Sequence, residues 1–183
     1  MATAEQTSPV VAYIGLGSNL NDPHAQVCRA MDALAATPGC TLCFRSSLYA
    51  TAPLGPVAQP EFVNAVVSLA TQLRPLALLS ALQGIERDHG RVRDGTRWGP
   101  RTLDLDLLLF GESQLQLAEL VVPHPELRCR AFVLVPLAEI APAGLLIPGQ
   151  GHLAELLAAL GDQGGIRRIP DGMTTAPAAV DAR

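Results

Sequence analysis

Residues 91–110 read RVRDGTRWGPRTLDLDLLLF, and this stretch decides how the rest of the chain is interpreted. It begins with four arginines within eleven residues and then alternates aspartate with leucine, placing Asp104 and Asp106 two residues apart. An alternation of period two is typical of a β-strand, so both carboxylates project from one face and the leucines from the other. The two aspartate Cα atoms would then lie roughly 6.5 Å apart.

Two carboxylates this close repel each other, so such a pair is expected to hold a hard cation or to share a proton. The arginines just upstream could hold the phosphate oxygens that the cation also binds. The alternative is an arginine-rich surface loop before an ordinary edge strand. We favour a metal-assisted site for a polyphosphate, because a charge within an apolar strand is costly unless it is paired. In addition, turn-forming residues separate the arginines, so helical spacing does not explain them.

Composition limits the class of protein. With 183 residues, 49% of them apolar, the chain is predicted to form a single domain over 10–163, with flexible tails at 1–9 and 164–183. The net charge of −4 argues against a nucleic-acid partner, and the absence of lysine excludes a P-loop. The sequence contains neither a long apolar run nor a signal peptide, so we expect no membrane partner and a cytoplasmic location.

The predicted order of elements is β-α-β-β-α-β followed by further C-terminal elements. The strands are expected at 10–16, 41–51, 61–71 and around Asp104, and the helices at 23–37 and from 75 to near 90. This order predicts an α+β fold, the ferredoxin-like βαββαβ sandwich. Its antiparallel sheet would leave one face for a ligand or further helices, where Asp104 and Asp106 could lie beside Phe62 and Asn64. Such a face could bind a flat polar ring next to metal ions.

Six segments of the chain match motifs of a known family. They are 17–20 (GSNL), 49–55 (YATAPLG), 59–64 (QPEFVN), 97–106 (RWGPRTLDLD), 122–125 (VPHP) and 130–132 (RAF). On these segments the chain resembles the 6-hydroxymethyl-7,8-dihydropterin pyrophosphokinases of folate biosynthesis, over about residues 10–160. The family sequence often has a second proline where this chain has Ala52, and a basic residue can occur where it has Glu119.

The resemblance implies a reaction in which ATP donates its β,γ-pyrophosphoryl group to the hydroxymethyl oxygen of the reduced pterin, and AMP leaves. It implies two Mg²⁺ ions held by Asp104 and Asp106, and we expect a monomer acting on these two small molecules. The resemblance assigns catalytic roles to Arg91, Arg93, Arg101, Asp104 and Asp106. It assigns ATP binding to the same three arginines and to Gln83, Glu86, His124 and Arg130. It assigns pterin binding to Thr51, Leu54, Phe62, Asn64, Trp98 and Phe132.

Other interpretations remain open from the sequence. The chain could be a different Mg²⁺-dependent phosphoryl or nucleotidyl transferase, which the nucleotide product would reveal. It could also be a catalytically silent ferredoxin-like RNA-binding module, although that class predicts a basic balance and exposed stacking aromatics. Without the resemblance, Phe62 and Phe132 could be core aromatics, and His124 could be a structural residue of a rigid turn.

Overall fold

A computed structural model describes residues 8–53, 58–91, 99–161 and 165–170. The helices are α1 (Pro23–Ala35), α2 (Pro75–Asp88), α3 (Ala131–Ile140) and α4 (Leu153–Ala159). The longer strands are β1 (Val10–Ser18), β2 (Cys40–Arg45), β4 (Phe62–Thr71) and β5 (Asp104–Phe110). The short strands are β3 (Tyr49–Thr51), β6 (Leu115–Gln116), β7 (Val121–Val122), β8 (Leu146–Ile147), β9 (Gly151–His152) and β10 (Ile166–Arg168).

Within the described residues, six strands form an antiparallel sheet with β1 near its centre. Strand β1 pairs with β4 on one side and with β5 on the other, so β5 is an edge strand. Strands β2 and β3 pair with successive parts of β4, and β10 pairs with β3. This sheet with its helices confirms the predicted ferredoxin-like α+β class.

Helices cover both faces of the sheet. The face against α1 and α2 carries alternate apolar residues of each strand, including Ile14, Val67 and Leu107. The opposite face carries Tyr13, Val66 and Leu108 under α3 and α4. The apolar segment 133–140 belongs to α3, which is apolar on most sides because it is buried between the sheet and α4.

The start of α1 follows the sequence prediction. Pro23 occupies the first turn, where a proline costs no hydrogen bond, and the Asp22 carboxylate accepts the Ala25 N–H at 3.2 Å. The backbone of Asp22 has φ +61°, a conformation that aspartate tolerates better than most residues. The predicted start of α2 at Pro75 is also confirmed.

The single strand predicted over 41–51 is two strands, and this prediction was wrong. Strand β2 ends at Arg45 and β3 begins at Tyr49. Between them the Ser46 hydroxyl accepts the Val66 N–H at 2.9 Å, and the Ser47 N–H donates to Glu139 at 2.6 Å. A side chain therefore takes a hydrogen bond that a strand carbonyl would otherwise accept, and the ladder is interrupted.

Part of the predicted C-terminal tail is ordered sheet, which corrects the expectation for 164–183. Strand β10 pairs with β3, the Ile169 N–H donates to the Leu48 carbonyl at 2.8 Å, and Ile169 is buried in the core. The short segment 166–169 (IRRI) stands among glycine and proline residues and shows no two-residue alternation, so no local pattern indicated a strand there. Residues 1–7 and 171–183 lie outside the described residues, as do 54–57, 92–98 and 162–164.

Among the helices of the described ranges, none combines the length and the apolar character that crossing a membrane requires.

Candidate functional site

A pocket opens on the α3 face of the sheet, where that helix leaves the ends of β1, β4 and β5 uncovered. The site residues predicted from the sequence that line it are Thr51, Phe62, Asn64, Arg101, Asp104, Asp106, Arg130 and Phe132. The pocket thus joins residues expected to bind a flat ring with residues expected to bind phosphate and metal.

The remaining predicted residues divide into three groups. Arg91 and His124 contact the two aspartates of the pocket, and Glu86 contacts Arg91. Gln83 lies half-buried on α2 outside the pocket lining. The predicted residues Leu54, Arg93 and Trp98 lie outside the described residues.

Two glycines form the floor of the pocket. In the sheet register Gly17 lies opposite both Asn64 and Asp104, and Gly15 lies opposite Asp106. A Cβ atom at Gly17 would come within 3.1 Å of Asn64 Oδ1. The absent side chains therefore leave free space between the carboxylates on β5 and the amide on β4. The strand predicted from the sequence ended at Leu16, which placed Gly17 in a following turn, whereas β1 continues to Ser18 and contains both glycines. Alternate glycines in an apolar strand were a usable signal.

The half of the pocket on β4 is polar at its base and aromatic at its walls. Asn64 Nδ2 donates to Thr51 Oγ1 at 2.8 Å, and both side chains are buried. Phe62 and Phe132 are half-buried and face the pocket from the start of β4 and the start of α3. Their partial exposure argues against the alternative that both are ordinary core aromatics.

The half of the pocket on β5 carries the two carboxylates within a group of cations. Asp104 Oδ1 lies 2.5 Å from Arg91 Nη1, and its Oδ2 lies 2.5 Å from Arg101 Nη1. Asp106 Oδ2 lies 3.5 Å from Arg130 Nη1 and 3.9 Å from His124 Nε2. An anion that enters the pocket would therefore find at least one arginine within hydrogen-bonding distance.

The electrostatics of the pocket keep Asp106 from ionising easily. Burial and the neighbouring Asp104 carboxylate raise the pKa of Asp106 to about 6, because they outweigh the opposing effect of Arg130. Burial and the Arg130 charge lower the pKa of His124, so its imidazole is neutral at pH 7. A neutral imidazole can still donate one hydrogen bond to a phosphate oxygen.

The donor set suits a hard cation that arrives with a phosphate ligand. Among the described residues, no group of three or more His, Cys, Asp or Glu side chains could enclose a metal. Two carboxylates alone match the habit of Mg²⁺, which takes one or two carboxylates and completes its shell with water and substrate phosphates. The raised pKa of Asp106 is consistent with this, since a nearby cation would favour its ionised form.

Asn19 fixes the segment that leads into β5, a role that was not predicted from the sequence. Its Oδ1 accepts the Arg101 N–H at 2.8 Å, and its own N–H donates to the Arg101 carbonyl at 3.1 Å. Its Nδ2 donates to Gln59 Oε1 at 2.9 Å, and the residue is 2% exposed. A single buried amide therefore joins the segment before Phe62 to the segment before Asp104. The sequence showed Asn19 only as part of a motif.

His124 and Arg130, which follow β7 in the chain, complete the wall beside Asp106. The His124 N–H donates to the Leu108 carbonyl at 2.9 Å, which holds the imidazole next to β5. Arg130 forms an ion pair with Glu126, and its guanidinium carbon lies 5.6 Å from the centroid of the Phe132 ring. His124 therefore lies at the site, and its backbone bond also gives it the structural role that was the alternative.

Comparison with proteins of known family agrees with this site. The family model described as 7,8-dihydro-6-hydroxymethylpterin-pyrophosphokinase (HPPK) matches residues 13–142. A Pseudomonas aeruginosa protein named 2-amino-4-hydroxy-6-hydroxymethyldihydropteridine pyrophosphokinase is 55% identical over 158 residues, which cover 86% of this chain and 96% of that protein. A Haemophilus influenzae protein of the same name is 45% identical over 161 residues, covering 88% and 99%.

Solved structures show the same fold at low sequence identity. The wild-type HPPK-DHPS of Plasmodium falciparum matches with a TM-score of 0.66 at 14% identity, covering 90% of this chain and 45% of that one. Its form with pterin and p-hydroxybenzoate matches with a TM-score of 0.68, covering 90% and 47%. This chain thus spans about half the length of those chains, and the likeness concerns the fold.

The family match includes β1 from Tyr13 onward, the β4 residues of the pocket, both aspartates and Arg130 within one continuous range. The identity to the two bacterial relatives extends over most of this chain and nearly all of each of theirs. On these grounds the chain belongs to the 7,8-dihydro-6-hydroxymethylpterin-pyrophosphokinase family.

Proposed function

We propose that this chain transfers the β,γ-pyrophosphoryl group of ATP to the hydroxymethyl oxygen of 6-hydroxymethyl-7,8-dihydropterin, releasing AMP, as a step of folate biosynthesis. The observation that carries the proposal is the shared pocket. It holds Asp104 and Asp106 with their arginines on one side, and Asn64 with the aromatic residues Phe62 and Phe132 on the other. A polyphosphate and a flat polar ring could therefore lie side by side, as the transfer requires.

The pterin is proposed to bind between Phe62 and Phe132, because planar rings stack favourably on aromatic faces. The bond to Thr51 holds the Asn64 amide so that Oδ1 lies on the side of Gly17 and can accept an N–H from the ring edge. This fixed acceptor would select a ring rich in donors over an apolar ring of the same size. The family resemblance adds Leu54 and Trp98 to the proposed pterin site.

The triphosphate is proposed to bind along the cationic wall formed by Arg91, Arg101 and Arg130. These side chains already hold carboxylate oxygens, and phosphate oxygens offer the same bidentate geometry. His124 would add a hydrogen bond from its neutral ring. The resemblance adds Arg93 at the phosphates and Gln83 near the nucleotide. The resemblance assigns Glu86 to ATP binding. Only 3% of its side chain is exposed, so its position does not favour direct contact with the nucleotide.

Asp104 and Asp106 are proposed to hold the two Mg²⁺ ions that the family resemblance implies. When bound, the metal neutralises charge on the triphosphate and makes the attacked phosphorus more electrophilic. To hold the cation, Asp104 and Asp106 would exchange their arginine contacts for it, and the released guanidiniums would be free to bind phosphate oxygens. The aromatic walls and the Asn64 amide hold the pterin hydroxymethyl group in line with the phosphate chain.

We further propose that residues 10–163 form the functional domain, that the enzyme acts as a monomer and that it is cytoplasmic. Strand β10 extends that domain beyond residue 163, because it pairs with β3 and the following Ile169 is buried in the core.

Analysis of the nucleotide product tests the proposal directly. The protein is incubated with ATP, Mg²⁺ and 6-hydroxymethyl-7,8-dihydropterin, and the nucleotides are separated. AMP that forms only when the pterin is present is the expected result. ADP would instead indicate a simple kinase, and the absence of any pterin-dependent nucleotide product would refute the proposed reaction. The Asp104→Asn variant serves as the control for a contaminating activity, since it should form no AMP.

A further inference from the structure

Glu86 is a buried carboxylate that the proposed chemistry does not explain. It lies in the last turns of α2, 2% exposed, against the edge strand β5. A charge is costly to bury unless it is paired and hydrogen-bonded. Glu86 has both kinds of partner, because it forms an ion pair with Arg91 and accepts the Leu105 N–H at 2.9 Å.

The Leu105 amide is the peptide group between the two metal-site aspartates. In the part of the chain that the structure describes, β5 pairs with β1 on one side only, so N–H groups on its other side point away from the sheet. Glu86 takes one of these N–H groups with a carboxylate, in place of a neighbouring strand. The backbone from which Asp104 and Asp106 project is therefore held from both sides at this point.

Arg91 connects the same carboxylate to the pocket. The Arg91 N–H donates to the Glu86 carbonyl at 3.0 Å, so the chain turns back immediately after α2. Its guanidinium then reaches both Glu86 and Asp104 Oδ1. If Asp104 turns toward a cation, Arg91 keeps Glu86 as its counter-charge and remains at the phosphate wall.

We propose that Glu86 is a positioning residue of the metal–triphosphate half of the site. It holds the peptide between Asp104 and Asp106 and keeps the Arg91 guanidinium oriented when Asp104 binds metal. The inference rests on the proposed function for its effect on turnover. Its structural part, the bond between Glu86 and the Leu105 amide, does not depend on that function.

The test compares Glu86→Gln and Glu86→Asp with the wild-type protein. Glutamine keeps an acceptor for the Leu105 N–H and loses the charge that Arg91 needs, whereas aspartate keeps the charge on a shorter side chain. Asp88→Asn is the matched control, because Asp88 is an exposed acid of the same helix. The measurements are kcat, KM for MgATP, the pterin dissociation constant and the thermal midpoint.

For Glu86→Gln we expect kcat/KM for MgATP to fall roughly ten- to hundred-fold, the usual effect of losing a residue that orients a metal ligand. Pterin affinity should stay within about two-fold, because Glu86 binds the edge strand β5 whereas Phe62 and Asn64 lie on β4. Glu86→Asp should recover part of the loss, and Asp88→Asn should behave as wild type. A purely structural role would lower the thermal midpoint and leave turnover per folded molecule unchanged, and that outcome would overturn the proposal.

Amide exchange of the wild-type protein provides a second test that needs no variant to fold. The Leu105 amide should exchange slowly, as a hydrogen-bonded group does. Exchange at the rate of an exposed amide would overturn the proposal even if the variants precipitate. A wild-type protein that forms no AMP would refute the proposed function. Two measurements that need no turnover would then still test the role of Glu86. They are slow exchange of the Leu105 amide and the affinity for Mn²⁺ alone, which should be weaker in Glu86→Gln than in the wild-type protein.

Discussion

The guanidinium carbon of Arg130 lies 5.6 Å from the centroid of the Phe132 ring. Arg130 is also within 3.5 Å of Asp106, so one side chain touches both the aromatic wall and the carboxylates. A cation over a ring face is held by the ring quadrupole. The two halves of the pocket therefore share a wall. A substitution at Phe132 is expected to weaken the binding of both substrates, but to different extents.

Replacement of Phe132 by alanine should weaken pterin binding by roughly ten-fold, since an aromatic stacking pair contributes about 1 kcal/mol beyond its buried area. ATP binding should weaken less, by about two- to five-fold, because Arg130 loses only its cation–π support and keeps Glu126. Fluorescence titration with each ligand measures the two constants. Phe44→Ala is the control, because Phe44 is 62% exposed and outside the pocket lining. Equal losses for the two ligands would contradict the assignment of Phe132 to the pterin.

Substitution of Gly17 by alanine should weaken pterin binding without unfolding the protein. The new methyl group would lie 3.1 Å from Asn64 Oδ1, so the amide that we propose reads the ring must shift or lose access. We expect a loss of about ten-fold in pterin affinity, close to the value of one hydrogen bond. Gly144→Ala is a suitable control, since no atom of the described residues lies within 4 Å of a Cβ there. Calorimetry that finds wild-type pterin affinity for Gly17→Ala would rule out this role for the pocket floor.

The stability of the metal-free protein should depend on pH through Asp106. Its pKa is raised to about 6 from an ordinary value of 3.8, so the folded state favours the protonated form. The resulting stabilisation is fully present below pH 4 and is lost as the pH rises through 6. The side chain is still 35% exposed, so we expect the loss to be about 1 kcal/mol. Urea unfolding at pH 5 and pH 8 in chelator, with Asp106→Asn beside wild type, measures the difference.

Asp106→Asn should therefore be slightly more stable than wild type at pH 8 in chelator, while its kcat falls by orders of magnitude because a metal ligand is lost. The comparison must be made without Mg²⁺, which would stabilise the wild-type protein alone. Asp88→Asn, with its exposed side chain, should change neither property. Turnover that remains at the wild-type level would exclude Asp106 as a ligand of the essential metal.

The phenol of Tyr49 should ionise only at high pH. It is 8% exposed, and its hydroxyl donates to Glu139 Oε1 at 2.9 Å; burial and this anion raise its pKa to about 12. The stabilisation that this group contributes is present below pH 10 and is lost as the pH rises toward 12. The other tyrosine of the chain, Tyr13, is also buried, and burial raises its pKa as well.

Absorbance titration near 295 nm reads both phenols, and Tyr49→Phe identifies which step belongs to Tyr49. Glu139→Gln should lower the pKa of Tyr49, because it removes the charge that opposes ionisation. A Tyr49 step near pH 10 in the folded wild-type protein would show that the contact with Glu139 is not made in solution.

The sequence by itself determined the features that depend on neighbouring residues. The Asp22–Pro23 start of α1 follows from local hydrogen bonding and from the fixed φ of proline. The common face of Asp104 and Asp106 follows from the two-residue period of a strand. The element order then predicted the α+β fold, and six short motifs were enough to indicate the family.

Only the tertiary structure decided how distant segments meet. Asn19 holds the Arg101 backbone across 82 residues of sequence, and Gly17 forms the pocket floor because of its register opposite Asn64 and Asp104. Glu86 reaches the Leu105 amide because α2 packs on β5, for which β1 is the one paired strand within the described ranges. Register and packing arise from the whole core at once, and a local sequence pattern carries no record of which distant backbone group a buried polar side chain will bind.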